Sequence, residues 1–272
     1  MTGWAEVGDG VFQRRYDPLD ISICVVRGRG GLLVVDTRSS PRQGEEIREH
    51  LRELTADPVV AVVNTHAHFD HSFGNQVFAD VPIYGHDLVP AHLEAYETPM
   101  LAAWVAEGIE PVEEWAAVRI TAPTVLVGAE HRLTIGDRVV ELRHLGRGHT
   151  DNDLVLHLAD AGTWIVGDLV EESGPPMYGS GCFPLEWPAT VAALARLVGP
   201  DDVVVPGHGS PVNRLFVEAQ QTQLAGVADL LRELHAAGVP VERACEAGAG
   251  RWALPQEGLE PAISAAYEAL ST

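Results

Sequence analysis

A cluster of side chains able to bind a metal ion stands directly after an apolar run in this sequence. The cluster, Thr65–His71, reads Thr-His-Ala-His-Phe-Asp-His, and the run before it is Val59–Asn64. The run is short, rich in valine and preceded by Asp57-Pro58, which predicts a buried β-strand. The cluster then lies on the loop at the carboxyl end of that strand, where ligand sites collect in α/β sheets. A histidine-rich surface loop is the alternative, which the H-x-H-x-D-H spacing disfavours.

The spacing within the cluster divides its side chains between two ions. In an extended segment His66 and His68 point to the same side, so both imidazoles can bind one cation. Asp70 and His71 follow where the chain turns, and adjacent side chains diverge there. These two residues are therefore better placed to bind a second cation.

Three further candidate ligands occur later in the chain in a similar setting. His149, Asp168 and His208 each follow an apolar strand and each has a glycine beside it, which lets the backbone approach a crowded site. With the first cluster they make five histidines and two aspartates, which is enough for two metal ions. Asp36 also ends an apolar run. It either supports the loop Thr65–His71, called the metal loop below, or is a turn residue.

The remaining pattern alternates strands and helices. Short apolar runs separated by glycine-rich turns over residues 4–36 predict antiparallel strands, and Ser40-Pro41 is typical of a helix start. The sequence contains no repeat or low-complexity linker. We expect one domain over residues 1–272, with a helical insertion at about 86–120 and a helical C-terminal portion at about 213–272.

The charge balance limits the classes of partner. Asp and Glu number 39 against 18 basic residues, and the formal net charge is −21. Nucleic acid and anionic membranes require a positive surface, so we expect neither as a partner. All basic residues are arginines. A lysine therefore cannot bind a substrate carboxylate, and an arginine or a neutral donor would have to do so.

Cysteine usage and the N-terminal stretch favour a cytoplasmic protein. Met1–Glu6 lacks the basic and apolar regions of a signal peptide. Cys24, Cys182 and Cys245 are odd in number and widely spaced, which is typical of reduced thiols. No uninterrupted apolar run is long enough to span a bilayer.

The order of the motifs resembles that of the metallo-β-lactamase-fold superfamily of hydrolases. The order is H-x-H-x-D-H, then G-H-T, then G-D, then P-G-H-G, and the resemblance covers about Gly30 to Gly209. It implies an αβ/βα four-layer sandwich, in which two mixed β-sheets lie face to face with helices outside. It also implies a bridging aspartate and two sets of three ligands: His66, His68 and His149 for one ion, Asp70, His71 and His208 for the other, and Asp168 between them.

Within that family the ligand set is similar to that of glyoxalase II-like hydrolases, whose bridging residue is an aspartate. Zinc β-lactamases tend to use other residues at the position of Asp168, and some use a lysine that this chain lacks. The flavodiiron branch has glutamate at the position of His68. Nuclease branches need a basic surface, which the net charge does not provide.

The resemblance implies a hydrolase that uses a metal-bridging hydroxide on an ester, thioester, lactone or amide bond of a small molecule. Two divalent ions are expected, zinc first and iron or manganese as alternatives, with Asp70 orienting the nucleophile. Aromatic residues near the metal loops favour a mostly apolar substrate: Phe69, Tyr178, Phe183 and Trp187. The alternative functions are a phosphodiesterase, a mono-iron persulfide-dioxygenase-like enzyme and a non-catalytic binding protein. The sequence leaves the oligomeric state open, with a homo-oligomer as one alternative.

Overall fold

Strands and helices alternate along the chain in the computed structural model, which describes residues 3–272. Met1 and Thr2, the first two residues of the stretch Met1–Glu6, lie outside the described residues. The strands are β1 (Ala5–Gly8), β2 (Val11–Tyr16), β3 (Ile21–Gly28), β4 (Gly31–Val35), β5 (Val59–Val63), β6 (Ile83–His86), β7 (Val125–Val127), β8 (Glu130–Ile135), β9 (Arg138–Arg143), β10 (Val155–Leu158), β11 (Thr163–Glu171) and β12 (Val203–His208). The helices are α1 (Pro41–Leu54), α2 (Phe69–Ser72), α3 (Val89–His92), α4 (Thr98–Glu107), α5 (Val112–Ala117), α6 (Trp187–Leu197), α7 (Arg214–Ala236), α8 (Val241–Ala247) and α9 (Glu260–Ser271).

The strands form two mixed sheets that meet at one edge. The first has the order β7-β6-β5-β4-β3-β2-β1, with parallel pairing from β4 to β7 and antiparallel pairing from β1 to β4. The second has the order β8-β9-β10-β11-β12, and its only parallel pair within residues 3–272 is β11 with β12. A single residue pair, His208 with Ile21, joins β12 to β3. This junction brings the ends of both sheets together.

The alternation of side chains along the strands builds four layers. In β3, Cys24 and Val26 point into a core shared with the second sheet, whereas Ile23 and Val25 point outward to α1, where they meet Ile47. Successive side chains of a strand face opposite sides of the sheet, so both faces of the apolar stretch Ile23–Val26 are buried.

The second sheet is covered on its outer side in the same way. Leu156 of β10 faces the shared core, and Trp164 of β11 faces the helices α6, α7 and α9. Helices therefore cover the outer face of each sheet, and the predicted αβ/βα sandwich is confirmed.

The predicted helical insertion holds α3, a π-helical turn at Leu93–Glu97, α4 and α5. It contacts the metal loop through aromatic rings: the Phe69 ring lies edge-on to Trp104 and Trp115, with centroids 5.1 and 6.1 Å away. This contact places the insertion over the carboxyl end of β5.

Two local elements differ from the sequence-based expectation. The sequence Ser72–Phe78 predicts one short helix. The structure instead has α2, which begins at Phe69, followed by a separate 3₁₀ turn at Asn75–Phe78. Gly74 lies at the break, and a Cβ there would come within 2.0 Å of the Thr37 carbonyl oxygen. Strand β8 was not predicted, because most of its side chains are exposed and only Leu133 and Ile135 are buried.

Among the helices of residues 3–272, none combines the length and apolar character that crossing a lipid bilayer requires.

Candidate metal centre

The metal loop is held in place by buried polar contacts on both sides. The Asn64 side-chain amide donates to the His71 carbonyl oxygen at 3.0 Å, and the Thr37 amide donates to the same oxygen at 2.9 Å. On the other side, the Ala67 amide donates to the Asn152 side-chain oxygen at 2.9 Å. These bonds satisfy backbone groups that the tight turn after β5 would otherwise leave unpaired in the interior.

A first group of donor atoms is formed by three imidazoles. His68 Nδ1 lies 3.1 Å from His66 Nε2 and 2.8 Å from His149 Nε2. All three side chains are buried. His66 and His68 come from the loop after β5, whereas His149 comes from the loop after β9, so the two sheets contribute to one site.

A second group combines an aspartate with two imidazoles. Asp70 Oδ2 lies 3.3 Å from His208 Nε2 and 3.7 Å from His71 Nε2. His208 is the last residue of β12, and the junction of that strand with Ile21 carries it to the metal loop.

Asp168 lies between the two groups. Its Oδ1 is 3.1 Å from His71 Nε2, and its Oδ2 is 3.4 Å from His208 Nε2 and 3.5 Å from His149 Nε2. One carboxylate thus faces donor atoms of both groups. All seven residues singled out in the sequence lie together in the structure.

Glycine makes the close approach of strands β11 and β12 feasible. A Cβ on Gly207 would lie 1.8 Å from Asp168 Oδ1. Gly167 has a φ of 54°, and a Cβ there would lie 2.7 Å from the Thr65 side chain. The strand pairing shifts register at Gly167, which turns Asp168 toward the metal loop.

The ring nitrogens that face away from the two groups contact oxygen acceptors. The pairs are His66 Nδ1 with Thr65 Oγ1 (3.1 Å), His68 Nε2 with Ser180 O (3.0 Å), His71 Nδ1 with Asp36 Oδ2 (2.8 Å), His149 Nδ1 with Met177 O (3.0 Å) and His208 Nδ1 with Leu19 O (2.8 Å). A carbonyl or carboxylate oxygen only accepts, so the nitrogen beside it carries the hydrogen. The opposite nitrogen of a neutral ring then presents its lone pair to the centre, as in metal-binding histidines.

Asp36 supports the loop rather than serving as a simple turn residue. It is buried, has a φ of 65°, and accepts hydrogen bonds from the Thr65 amide (2.7 Å) and the Thr65 hydroxyl (2.8 Å) as well as from His71. One carboxylate therefore orients a candidate ligand and anchors the residue before His66.

Electrostatics separate the two groups of imidazoles. Burial, together with neighbouring histidines, lowers the pKa of His66 well below its usual value and that of His149 to about 3. Burial also lowers the pKa of His68. For His71 and His208 burial acts in the same direction, but nearby aspartates, Asp168 first, outweigh it and raise each pKa. The first group is thus neutral and ready to donate lone pairs at pH 7.

The donor set fits divalent metal ions. Asp168 Oδ1 and His71 Nε2 are buried, and within residues 3–272 neither has a hydrogen-bond partner of good geometry. Such atoms are costly to bury unless a further group satisfies them. Imidazole nitrogen and carboxylate oxygen are the ligands that zinc and other transition metals take. The arrangement can therefore hold metal ions at each group.

The sequence places the chain in a family with the same chemistry. Residues 16–208 match the family described as the metallo-beta-lactamase superfamily. The chain belongs to the metallo-β-lactamase superfamily. The predicted resemblance is confirmed, and with it the expectation that the fold serves divalent metal ions.

Named relatives of this superfamily member are hydrolases. Human acyl-coenzyme A thioesterase MBLAC2 is 27% identical over 225 residues, which cover 74% of this chain and 79% of that protein. Metallo-beta-lactamase type 2 of Bacillus cereus is 24% identical over 190 residues, which cover 68% of this chain and 65% of that protein. The chain is thus a metal-dependent hydrolase.

A solved structure shares the fold. The sec-alkylsulfatase Pisa1 from Pseudomonas sp. matches with a TM-score of 0.79 at 17% identity, and the match covers 98% of this chain and 50% of that one. The chain thus spans half the length of this structural relative, and the likeness concerns the fold alone.

The candidate centre of this metallo-β-lactamase superfamily member lies at the floor of a cavity of about 610 Å³. Of the four aromatic residues expected at the substrate pocket, Phe69 lines this cavity. The other three do not lie on its wall among the described residues. Trp187 is buried beneath His149, with ring centroids 5.3 Å apart, and Tyr178 packs against Trp187. Phe183 lines a neighbouring groove, where Arg147 lies over its ring.

Several lining residues were not singled out in the sequence. Glu171 ends β11 near His149 and Asp168, and burial, followed by repulsion from Asp168, raises the pKa of its carboxyl to about 8. Glu97 comes from the insertion, and the loop 254–259 comes from the segment before α9. A pattern of isolated glutamates carries no spacing signal, so only the folded chain reveals them.

Proposed function

We propose that this chain is a dinuclear hydrolase that cleaves an ester, thioester, lactone or amide bond of a small molecule, with zinc as the preferred metal. The observation that carries the proposal is the arrangement of two buried donor groups on either side of Asp168, at the floor of one cavity. A spacing of about 3.5–4 Å between ions is usual in such two-metal sites, and a shared carboxylate suits it.

The proposed ligands follow the two groups. One ion would be held by His66, His68 and His149, the other by Asp70, His71 and His208, and Asp168 would contact both. When bound, the ions supply a water of lowered pKa and a Lewis acid for the substrate carbonyl.

The side chains supply orientation. Because the rings of the first group are neutral and their other nitrogens are held by carbonyl and hydroxyl oxygens, they present fixed lone pairs without reorganisation. Asp70 lines the cavity. Its carboxylate can accept a hydrogen bond from the attacking water and so set the direction of attack.

A substrate bound against the apolar wall of the cavity would displace bulk water from the reacting bond. Phe69 is held edge-on against Trp104 of the insertion, beside the candidate ligands. Excluding water strengthens the electrostatic interactions at the reacting bond.

The relatives and the ligand set support this function over the other candidates. A thioesterase and a β-lactamase both hydrolyse acyl bonds. The second donor group is complete and buried, which favours two ions over the single iron of a persulfide-dioxygenase-like enzyme.

The proposal is tested with metal analysis and an Asp70→Ala variant. Zinc-loaded protein is expected to carry two ions per chain and to hydrolyse at least one substrate in a panel of simple esters, thioesters and lactones. Asp70→Ala is expected to lose about a thousandfold or more in kcat/KM while keeping its circular dichroism spectrum. Asp201→Ala, at an exposed position away from the cavity, is the matched control. Full activity of Asp70→Ala with both ions bound would refute the proposal.

A further inference from the structure

The cavity above the metal centre has apolar walls from several separate segments. Leu19 comes from the β2–β3 turn, Phe69 from the metal loop, Met100 from α4, Met177 from the loop after β11, and Leu259 from the segment before α9. Met177 is 61% exposed and Leu19 39% exposed, so apolar surface continues to the mouth. Such a wall suits an alkyl or acyl chain, because burying it against these side chains removes apolar surface from water.

The ionisable side chains on this wall, apart from the candidate ligands, are all acidic. They are Glu97, Glu171 and Glu257. Among residues 3–272 no arginine contributes to the wall, and the full sequence contains no lysine. Recognition of carboxylate or phosphate groups by proteins uses arginine and lysine for the most part.

The glutamates also offset the charge of the metal ions. Asp70 and Asp168 neutralise half of the charge that two divalent ions would carry, and the ionised carboxylates of Glu97 and Glu257 would neutralise the other half. An anionic substrate group that enters the outer cavity thus meets no net attraction. It would instead lie close to carboxylates, and like charges placed together oppose binding.

Glu97 is fixed in its position on the wall. It is fully buried on the π-helical turn, its Oε1 accepts a hydrogen bond from the Ser180 hydroxyl at 3.2 Å, and His92 Nε2 lies 3.6 Å away. Its Oε2 is buried and has no hydrogen-bond partner within the described part of the chain. A free acceptor at this position favours a donor or a cation in the cavity over an anion.

We propose that the cavity selects uncharged and cationic acyl substrates and discriminates against anionic ones, coenzyme A thioesters included. This inference rests on the proposed hydrolase function and adds the substrate class. It separates this chain from relatives named for coenzyme A thioesters and β-lactams. The residues that set the selectivity are Glu97 within the wall and Glu257 at the mouth.

Two matched substrate pairs test the proposal on the zinc-loaded protein. The first compares S-hexanoyl-N-acetylcysteamine with hexanoyl-coenzyme A, which share the acyl group and differ in the charge of the thiol. The second compares p-nitrophenyl hexanoate with the mono-p-nitrophenyl ester of adipic acid, which adds a carboxylate at the chain end. In each pair we expect kcat/KM to be at least about tenfold higher for the uncharged member.

Reversing the charge at the mouth should reverse part of this preference. Glu257 is exposed, so Glu257→Arg is expected to fold normally and to raise the anionic-to-neutral ratio of kcat/KM about fivefold or more. Glu49→Arg makes the same change at an exposed position on α1, outside the cavity wall, and should leave the ratio unchanged. Binding of hexyltrimethylammonium, measured by calorimetry, should weaken about fivefold in Glu257→Arg and not in Glu49→Arg.

The readouts separate the two proposals. Equal or better kcat/KM for hexanoyl-coenzyme A and the adipate ester would overturn the charge selectivity while the hydrolase function stands. If no substrate is cleaved but hexyltrimethylammonium binding depends on Glu257, the hydrolase function fails and the charge preference of the cavity is supported. Cation binding that is unchanged in Glu257→Arg overturns the role of Glu257.

Discussion

Asp36→Asn is the most informative perturbation of the residues that surround the candidate ligands. Asp36 accepts three hydrogen bonds, from the Thr65 amide, the Thr65 hydroxyl and His71 Nδ1, at 2.7–2.8 Å. Asparagine has nearly the same shape and tolerates the positive φ of 65° at this position. However, its NH₂ group replaces one acceptor oxygen, so at least one of the three donors must face another donor.

The expected loss of zinc affinity in Asp36→Asn follows from the loss of a charged hydrogen-bond acceptor. A hydrogen bond to a charged group contributes about 1.5–3 kcal/mol. Loss of a residue that orients a metal-binding histidine costs about 10–100-fold in metal affinity, which corresponds to about 1.4–2.7 kcal/mol. Because His71 belongs to the second donor group, we expect the affinity for the second zinc ion to fall about 10–100-fold. Affinity at the first group should fall less, since its contact with Asp36 runs only through Thr65.

The assay is a zinc titration of metal-free protein in competition with a chromophoric chelator, which resolves two binding constants. Urea unfolding of the same metal-free samples should show a loss of about 1–3 kcal/mol, because a buried donor is left unpaired. Asp201→Asn makes the same chemical change at an exposed position and should alter neither quantity. Two unchanged zinc affinities in Asp36→Asn would refute the assignment of Asp36 as the residue that holds His71.

Three further predictions concern Asp168 as the proposed bridging carboxylate, the core and the thiols. Asp168→Asn removes the negative charge between the two donor groups. We expect this variant to retain at most one zinc ion per chain, measured by inductively coupled plasma mass spectrometry. Two ions bound as tightly as in the wild type would contradict the proposed bridging role. Trp187→Ala deletes a fully buried indole whose Nε1 donates to a backbone carbonyl. We expect it to lower the free energy of unfolding by about 3–5 kcal/mol in urea titrations. A loss below about 1 kcal/mol would instead show that neighbouring side chains repack into the space left by the indole. Burial raises the pKa of Cys182 to about 12, so at pH 8 iodoacetamide should modify the half-buried Cys245 first, as peptide mass mapping can check.

Chelation provides a fourth prediction. If metal ions bind the folded state alone, removing them with a chelator lowers the free energy of unfolding by about 2.7 kcal/mol for each ion present at one hundred times its Kd. Readdition of zinc should restore the melting temperature. An unchanged melting temperature after complete removal would show that the donor groups do not hold ions tightly.

The layers and the candidate ligands could be predicted from the amino-acid sequence. The apolar run Val59–Val63 has no alternation, so it predicts a strand buried on both faces, and β5 is such a strand in its second half. The H-x-H-x-D-H spacing separates candidate ligands from ordinary surface histidines, because the spacing within one loop is a property of the sequence alone. The same holds for the glycines beside Asp168 and His208, which predict close backbone approach.

Local reasoning failed where a side chain's role depends on distant contacts. Tyr178, Phe183 and Trp187 follow the metal loops in sequence, yet the fold turns Trp187 into the core and Phe183 toward another groove. A core residue and a residue of a pocket wall can have the same apolar character, so the sequence alone does not distinguish these two roles. Strand β8 escaped prediction because its exposed side chains lack a buried face.

The folded chain was needed to show how the donor atoms are divided between the two groups and which residues surround them. The pairing of His208 with Ile21 brings β12 against the first sheet, and the register shift at Gly167 turns Asp168 between the two donor groups. Glu97 and Glu257 reach the same cavity from segments 160 residues apart in the sequence. The contacts that give a carboxylate its role here form between remote parts of the chain, and such contacts leave no periodic pattern in the sequence.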